Sequence, residues 1–268
     1  MRHWQDLSTD EFTELDPERT VALLPLGAIE QHGPHLPVST DATIAESICL
    51  GAARLVAEEV PLLLLPTQDI GKSTEHVQFE GTLTHSAQTL LSSWMEIGES
   101  VARAGVYKLM FFNAHGGQPQ VMEICCRELR VKRRMLAVGC SGWSFGAPAS
   151  DVPADEVRHG IHAGQVETSM MLHLRPDLVK MDKARNFKGL LAEVEAENRQ
   201  LRVLGSTYMG WLSNDLHPEG CSGNAADATA ELGALYCNHY MQGLATLIEE
   251  VAAYPLSRLR DRSDWQPQ

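Results

Sequence analysis

Four apolar runs of strand length, alternating with helical stretches, most constrain what this chain can become. Val21–Leu26 and residues 61–66, 106–112 and 135–141 are short and continuous, the character of strands buried on both faces. Residues 42–59 carry Ile44, Ile48 and Leu55 at helical spacing, 86–103 read as an amphipathic helix, and 118–134 return as a third. Such alternation argues an α/β fold with a parallel sheet covered on both faces. Residues 10–16 are expected to form one or two helical turns, and the charge-rich stretch 175–204 a solvated helix with its connection. No internal repeat or low-complexity segment interrupts the pattern.

Parallel strands end at one edge of their sheet, and the loops leaving that edge are where open α/β sheets place their chemistry. The first strand empties at Gly27 into a loop holding Glu30, His32, His35 and Asp41, stiffened by Gly33, Pro34 and Pro37. Carboxylate and imidazole at this density are the donors that Zn²⁺, Mn²⁺ or Fe²⁺ take. The third strand empties into Asn113-Ala-His115-Gly-Gly117, where the glycines allow a close backbone approach and positive φ. A further cluster runs from Arg158 to Ser169. With a helix from about Ala163, Glu167 falls one turn on, able to ligate a cation or accept a proton, and His162 can shuttle one.

Each residue also has an ordinary structural role. Asp41 can cap the helix that follows it, His32 and His35 can be hydrogen-bonded loop histidines, and Glu30 a solvated turn residue. Glu167 can pair with Arg158 or Lys180, and His162 can cap a helix start. Ligand-type side chains delivered by two separate strand ends favour the metal site over that set of coincidences.

Composition narrows the function. A formal net charge of −13 argues against nucleic acid or an anionic membrane as partner. An apolar fraction of 44% with 21% charged residues is that of an ordinary globular protein. Six cysteines without a C-x-x-C pair read as reduced thiols, and the polar N-terminus does not read as a signal peptide. With no apolar run of bilayer length, a soluble, cytoplasmic protein is expected, read as one domain over residues 1–268.

Leu24-Pro-Leu-Gly-Ala-Ile-Glu30-Gln-His32-Gly-Pro-His-Leu-Pro37, with Asp41, resembles the signature of the creatininase (creatinine amidohydrolase) family. Asn113-Ala-His115-Gly-Gly and His162-Ala-Gly-x-x-Glu167-Thr-Ser resemble its second and third motifs. Phe79-Glu80-Gly81-Thr82-Leu83 resembles its Phe-Pro-Gly-Thr-Leu segment, with Glu80 in place of proline. The resemblance implies a three-layer αβα domain around a mainly parallel sheet, a site for two divalent metals (Zn, Mn or Fe), and homo-oligomers that are often hexamers. Carried over, Glu30 and His115 would bind one metal, His32 the other, and Asp41 would bridge them. Glu167 would be a further ligand or proton carrier, His162 the general acid/base, and His35 a positioning residue.

The implied activity is hydrolysis of an amide, a cyclic amide or a related carbonyl compound by metal-bound hydroxide. Alternatives are a metal-dependent hydrolase, isomerase or lyase acting on an oxidised polyol or sugar, and a non-catalytic homologue that only binds a small molecule. One departure bears on substrate: family members acting on creatinine carry Tyr-Glu after the second-motif histidine, the glutamate being a ligand, where this chain has Gly116-Gly117. Specificity is expected from residues 69–80, 141–157 with Trp143 and Phe145, and 208–215 with Trp211.

Overall fold

A computed structural model describes residues 1–261. Its strands are β1 (Arg2–His3), β2 (Val21–Leu26), β3 (Leu62–Leu64), β4 (Lys108–Asn113), β5 (Leu136–Ser141), β6 (Asn186–Phe187) and β7 (Gly223–Asn224). The helices are α1 (Thr9–Thr13), α2 (Thr40–Leu55), α3 (Ala87–Arg103), α4 (Pro119–Arg133) and α5 (Ala154–His159). They continue with α6 (Gln165–Leu174), α7 (Leu190–Glu197), α8 (Ser213–Leu216) and α9 (Ala230–Ala253). The first five strands form one sheet in the order β1-β3-β2-β4-β5, every pair parallel, and β6 and β7 form an antiparallel ribbon beside it.

Alternation along each strand divides the core into two. Val21 and Leu23 of β2, with Met110 and Phe112 of β4, face α2, α6 and α9 through Ile44, Ile48, Met170, Met171, Leu244 and Ile248. Ala22, Leu24 and Leu26, with Leu109 and Phe111, face α3 and α4 through Leu90, Trp94, Cys125 and Leu129. The result is a three-layer αβα arrangement, with a period of two in the strands meeting 3.6 in the helices. Lys108, fully buried at the start of β4, is satisfied by donating from Nζ to the Ala252 carbonyl at the end of α9, 2.7 Å away.

What positions the site is the register of the central pair. β2 and β4 run in step from Val21 opposite Lys108 to Leu26 opposite Asn113, so their following loops leave the sheet together. Ala114 N–H still donates to Leu26 O at 2.9 Å, holding the two exits side by side.

Three expectations are corrected. The strand expected over 61–66 is confined to Leu62–Leu64, flanked by prolines, of which Pro66 has no N–H with which to continue the ladder. The first long helix runs over Thr40–Leu55 rather than 42–59, so Asp41 lies inside its first turn, which removes the alternative of a capping role. Residues 175–204 are not one solvated helix: single turns, β6 and the eight-residue α7 replace it. Phe187 packs into the main core, while Leu191, Val194 and Val203 form a small satellite core, apolar residues whose burial the surrounding charges conceal in the sequence. The six cysteines are free, and no described helix is long and apolar enough to cross a membrane.

Candidate metal centre

Three segments converge at the carboxyl edge of β2 and β4. The loop after β2 is pinned by Glu30 N–H donating to Val38 O at 2.9 Å, and it feeds α2, whose first turn carries Asp41. After β4, Asn113 folds back on the chain: its Oδ1 accepts the His115 N–H at 3.2 Å and its Nδ2 donates to His115 O at 2.6 Å. The third segment pairs His162 with Ser222 in an isolated bridge, then turns through Ala163 at φ +55° into α6. A non-glycine residue in that region is strained, and here the Glu167 carboxylate accepts the Ala163 N–H, which ties the turn to the helix. Histidine and glutamate five residues apart thereby reach one cavity wall.

Glu30, His32, Asp41, His115 and His162 are all buried, and their hydrogen bonds fix which ring nitrogen faces which group. His32 Nδ1 lies 3.0 Å from the Glu30 carbonyl oxygen, and His115 Nε2 lies 2.8 Å from that of Lys72. A carbonyl can only accept, so each nitrogen there carries its proton. The opposite nitrogens are turned onto carboxylates: His32 Nε2 is 3.3 Å from Asp41 Oδ1, and His115 Nδ1 is 3.2 Å from Glu30 Oε2 and 3.3 Å from Asp41 Oδ2. Glu30 Oε2, Asp41 Oδ2 and His32 Nε2 have no hydrogen-bond partner. Lone pairs converging without donors, in a buried pocket holding several carboxylates, call for a cation between them.

The carboxylates draw positive charge onto the facing imidazoles, so a proton and a cation compete for the same lone pairs. Burial pushes the His32 imidazole down, but the Asp41 carboxylate beside it prevails and holds it up at about 10. His115 is likewise kept well above its ordinary value, Glu30 and Asp41 overriding burial. Asp41, which burial alone would raise, is held far below the usual carboxylate range by His32 and His115. Burial pushes Glu167 up to about 7 against the pull of His32. His162 is driven well below its ordinary value by burial and by the neighbouring His32 and His76, and stays neutral.

Donor atoms of three residue groups each lie within 4.8 Å of one another: Glu30, Asp41 and His115; His32, Asp41 and Glu167; and Glu30, His32 and His162. Every metal or proton-carrying residue expected from the sequence is thus in one cluster, with Asp41 common to the first two groups. Arg158 pairs with Glu195, leaving Glu167 to the site. His35 stands behind it, its Nε2 3.0 Å from Thr168 Oγ1 and its ring stacked on Phe187.

The sequence reading gave Gln31 no role and took His76 and Glu75 only as residues of the polar 69–80 stretch. His76 Nε2 lies 3.3 Å from Glu30 Oε1, and its segment is pinned to the first loop where Leu83 N–H donates to Ile29 O. Only the Phe79-to-Leu83 motif nearby hinted at this, since an irregular loop gives no periodicity from which to read burial. Glu75 occupies the space beside Gly117: a Cβ there would overlap its Oε1. Neither Gly116 nor Gly117 adopts positive φ, so close approach is what Gly117 provides.

A cleft of about 410 Å³ opens beside the cluster, lined by Lys72, Glu75, Gly116, Gly117, Tyr208 and Trp211 among others. Two of the three expected specificity segments meet here. Phe145, from the third, instead packs on Gly243 of α9.

Comparison with known proteins decides the family. The family model described as creatininase, creatinine amidohydrolase, matches residues 5–248. The chain belongs to the creatininase family. Among relatives of this creatininase-family amidohydrolase is the mycofactocin precursor peptide peptidase of Mycobacterium ulcerans (strain Agy99). It is 35% identical over 184 residues, covering 66% of this chain and 68% of the relative. The creatinine amidohydrolase of Pseudomonas putida is 31% identical over 179 residues, covering 61% and 67% respectively. In fold, a creatininase structure in its Mn form superposes with a TM-score of 0.73 at 24% identity, covering 94% of this chain and 99% of that one. As a creatininase-family member the chain is a metal-dependent amidohydrolase.

Proposed function

We propose that this protein hydrolyses a linear, peptide-type amide at a site for two divalent cations that share Asp41. The observation carrying the reading is the cluster of buried donor atoms with no hydrogen-bond partner, Glu30 Oε2, Asp41 Oδ2 and His32 Nε2, at the centre of three ligand groups. In this reading Glu30, Asp41 and His115 would hold one cation, and His32, Asp41 and Glu167 the other. Zn, Mn or Fe held there would supply a Lewis acid to polarise the amide carbonyl and lower the pKa of a water toward about 7. His162, neutral and with Nδ1 3.7 Å from Glu30 Oε1, takes up a proton and returns it to the leaving amine.

Substrate class rests on the cleft and the relatives together. At about 410 Å³, lined by Gly116, Gly117, Tyr208 and Trp211 among others, the cleft has room for more than a small ring. The mycofactocin precursor peptide peptidases carry a peptide in their name, and Mn and Zn–Zn forms are known among the structural neighbours. We take the protein to act in the cytoplasm as a homo-oligomer, which sedimentation of the purified protein would test.

Elemental analysis after purification without chelator, then after Zn²⁺ or Mn²⁺ reconstitution, tests the metal reading. Close to two ions per chain are expected, and near-complete loss in Asp41→Ala. A residue acting only in its helix turn would spare metal binding. Screening linear amides against lactams and formamides on the loaded enzyme then tests the substrate class; turnover confined to cyclic compounds would reject it.

A further inference from the structure

Four buried histidines surround Glu30, and three of them turn a bare nitrogen toward it or Asp41. His76 differs, and the residue that makes it differ is Gln31. Its side chain is held from both ends by backbone. Gly33 N–H lies 2.9 Å from one terminal atom and Gly220 O 2.8 Å from the other. An N–H can only donate and a carbonyl only accept, so the first atom is Oε1 and the second Nε2, and the amide orientation is settled. One N–H of Nε2 goes to Gly220 O. The other meets His76 Nδ1 at 2.8 Å, which must therefore accept, leaving the His76 proton on Nε2. That Nε2 faces Glu30 Oε1 at 3.3 Å.

The same residue governs His162 through its main chain. His162 Nε2 lies 2.7 Å from the Gln31 carbonyl oxygen, so it carries the proton and Nδ1 is bare. The 3.1 Å approach of Gln31 Nε2 to His162 Nε2 is then a contact between two N–H groups, not a hydrogen bond. The pocket is also fitted to this side chain. Gly220 has φ +72°, and a Cβ there would lie 2.6 Å from Gln31 Nε2 and 2.7 Å from its Cδ. Only glycine permits both that backbone and that approach.

We infer that Gln31 is a positioning residue that sets the tautomers of the two histidines flanking Glu30, making His76 a hydrogen-bond donor and His162 an acceptor. His76 Nε2–H holds Glu30 by Oε1 and leaves Oε2 for the His115 side of the cluster. A histidine that donates cannot ligate through the same nitrogen, so Gln31 keeps His76 out of the ligand set. The catalytic consequence rests on the hydrolase reading above; the tautomers do not.

Long-range ¹H–¹⁵N correlation on zinc-reconstituted, ¹⁵N-histidine-labelled protein reads each tautomer directly, with the His76 signals assigned by their loss in His76→Gln. The wild-type protein is expected to show His76 as Nε2–H. In Gln31→Glu a carboxylate, which can only accept, faces His76 Nδ1, and the proton is expected to move there. Gln31→Met, with no polar atom to hold either form, is expected to give a mixture. Turnover is expected to fall about 10–100-fold in both variants, the usual effect of removing a group that orients a metal-site histidine. His76 as Nδ1–H in the wild type, or the same His76 tautomer in all three proteins, would overturn the proposal. The wild-type measurement needs neither a folded variant nor turnover, and zinc content of the same sample tests the metal reading separately.

Discussion

Adjacent glycines provide a sharp test of how the His115 loop is built. At Gly117 an added Cβ would overlap Glu75 Oε1 and lie 2.5 Å from His115 Nε2 and 2.8 Å from Lys72 O. It would sit on the hydrogen bond that turns His115 Nδ1 toward Glu30 and Asp41. Glu75 can swing aside, but the ring and the carbonyl cannot both stay. Leaving the buried His115 N–H without an acceptor costs about 1–3 kcal/mol. The restricted unfolded chain returns about 0.4–1 kcal/mol, as Gly→Ala does wherever it fits. The balance for Gly117→Ala is a loss of about 1–2 kcal/mol, a fall in Tm of a few degrees at roughly 2–4 °C per kcal/mol. Metal affinity should drop about 10–100-fold as His115 loses its orientation. At Gly116 a Cβ meets nothing within 4 Å, so Gly116→Ala should be neutral or slightly stabilising. Differential scanning calorimetry and competition with a chromogenic chelator, run on both variants, read these effects. Gly117→Ala matching the wild type in Tm and metal affinity would refute the argument.

Three further outcomes are expected. His162→Ala should keep its metal but lose about 10²–10⁴-fold in turnover, as removal of a proton carrier does; loss of metal would make it a ligand instead. Creatinine should be a poor substrate, with kcat/KM for creatine formation below about 10⁴ M⁻¹s⁻¹, because Gly116 and Gly117 supply neither the tyrosine nor the glutamate of creatinine enzymes; a higher value would overturn this. Burial pushes His35 down to about 4, whereas the unfolded chain takes up that proton near pH 6.5. Its contribution to stability is therefore complete above about pH 6.5 and is lost as pH falls toward 4, by at most about 3 kcal/mol. His35→Gln should lose less Tm than the wild type over that interval, and parallel curves would refute the assignment.

The fold was legible because burial on both faces leaves continuous apolar strands: Val21–Leu26 stands where expected, and β4 is shifted by only one or two residues. The candidate ligands Glu30, His32, Asp41 and His115 were legible because they cluster just beyond strand ends. His76 was not, since its burial depends on Leu83 pairing with Ile29, a contact that no local pattern announces. The role of Gln31 was hidden for a different reason: it follows from the carbonyl of Gly220, far along the chain. Residues 175–204 were misread because charge dominates their composition, while Phe187, Leu191 and Val194 do the packing.

The in-step pairing of β2 with β4 has a consequence for how the protein matures. Glu30, His32 and Asp41 emerge early from a ribosome, but β2 cannot pair with β4 until residues 27–107 have been looped out. Long-range parallel pairing of this kind is slow, because the loop must close before its contacts reward it. His162 and Glu167 come later still, and Gly220, which clamps Gln31, later again. A nascent chain therefore shows a cation scattered, weak donors until nearly all of its length is folded. Tight metal uptake would then mark completion of folding, and the cation would stabilise only finished molecules.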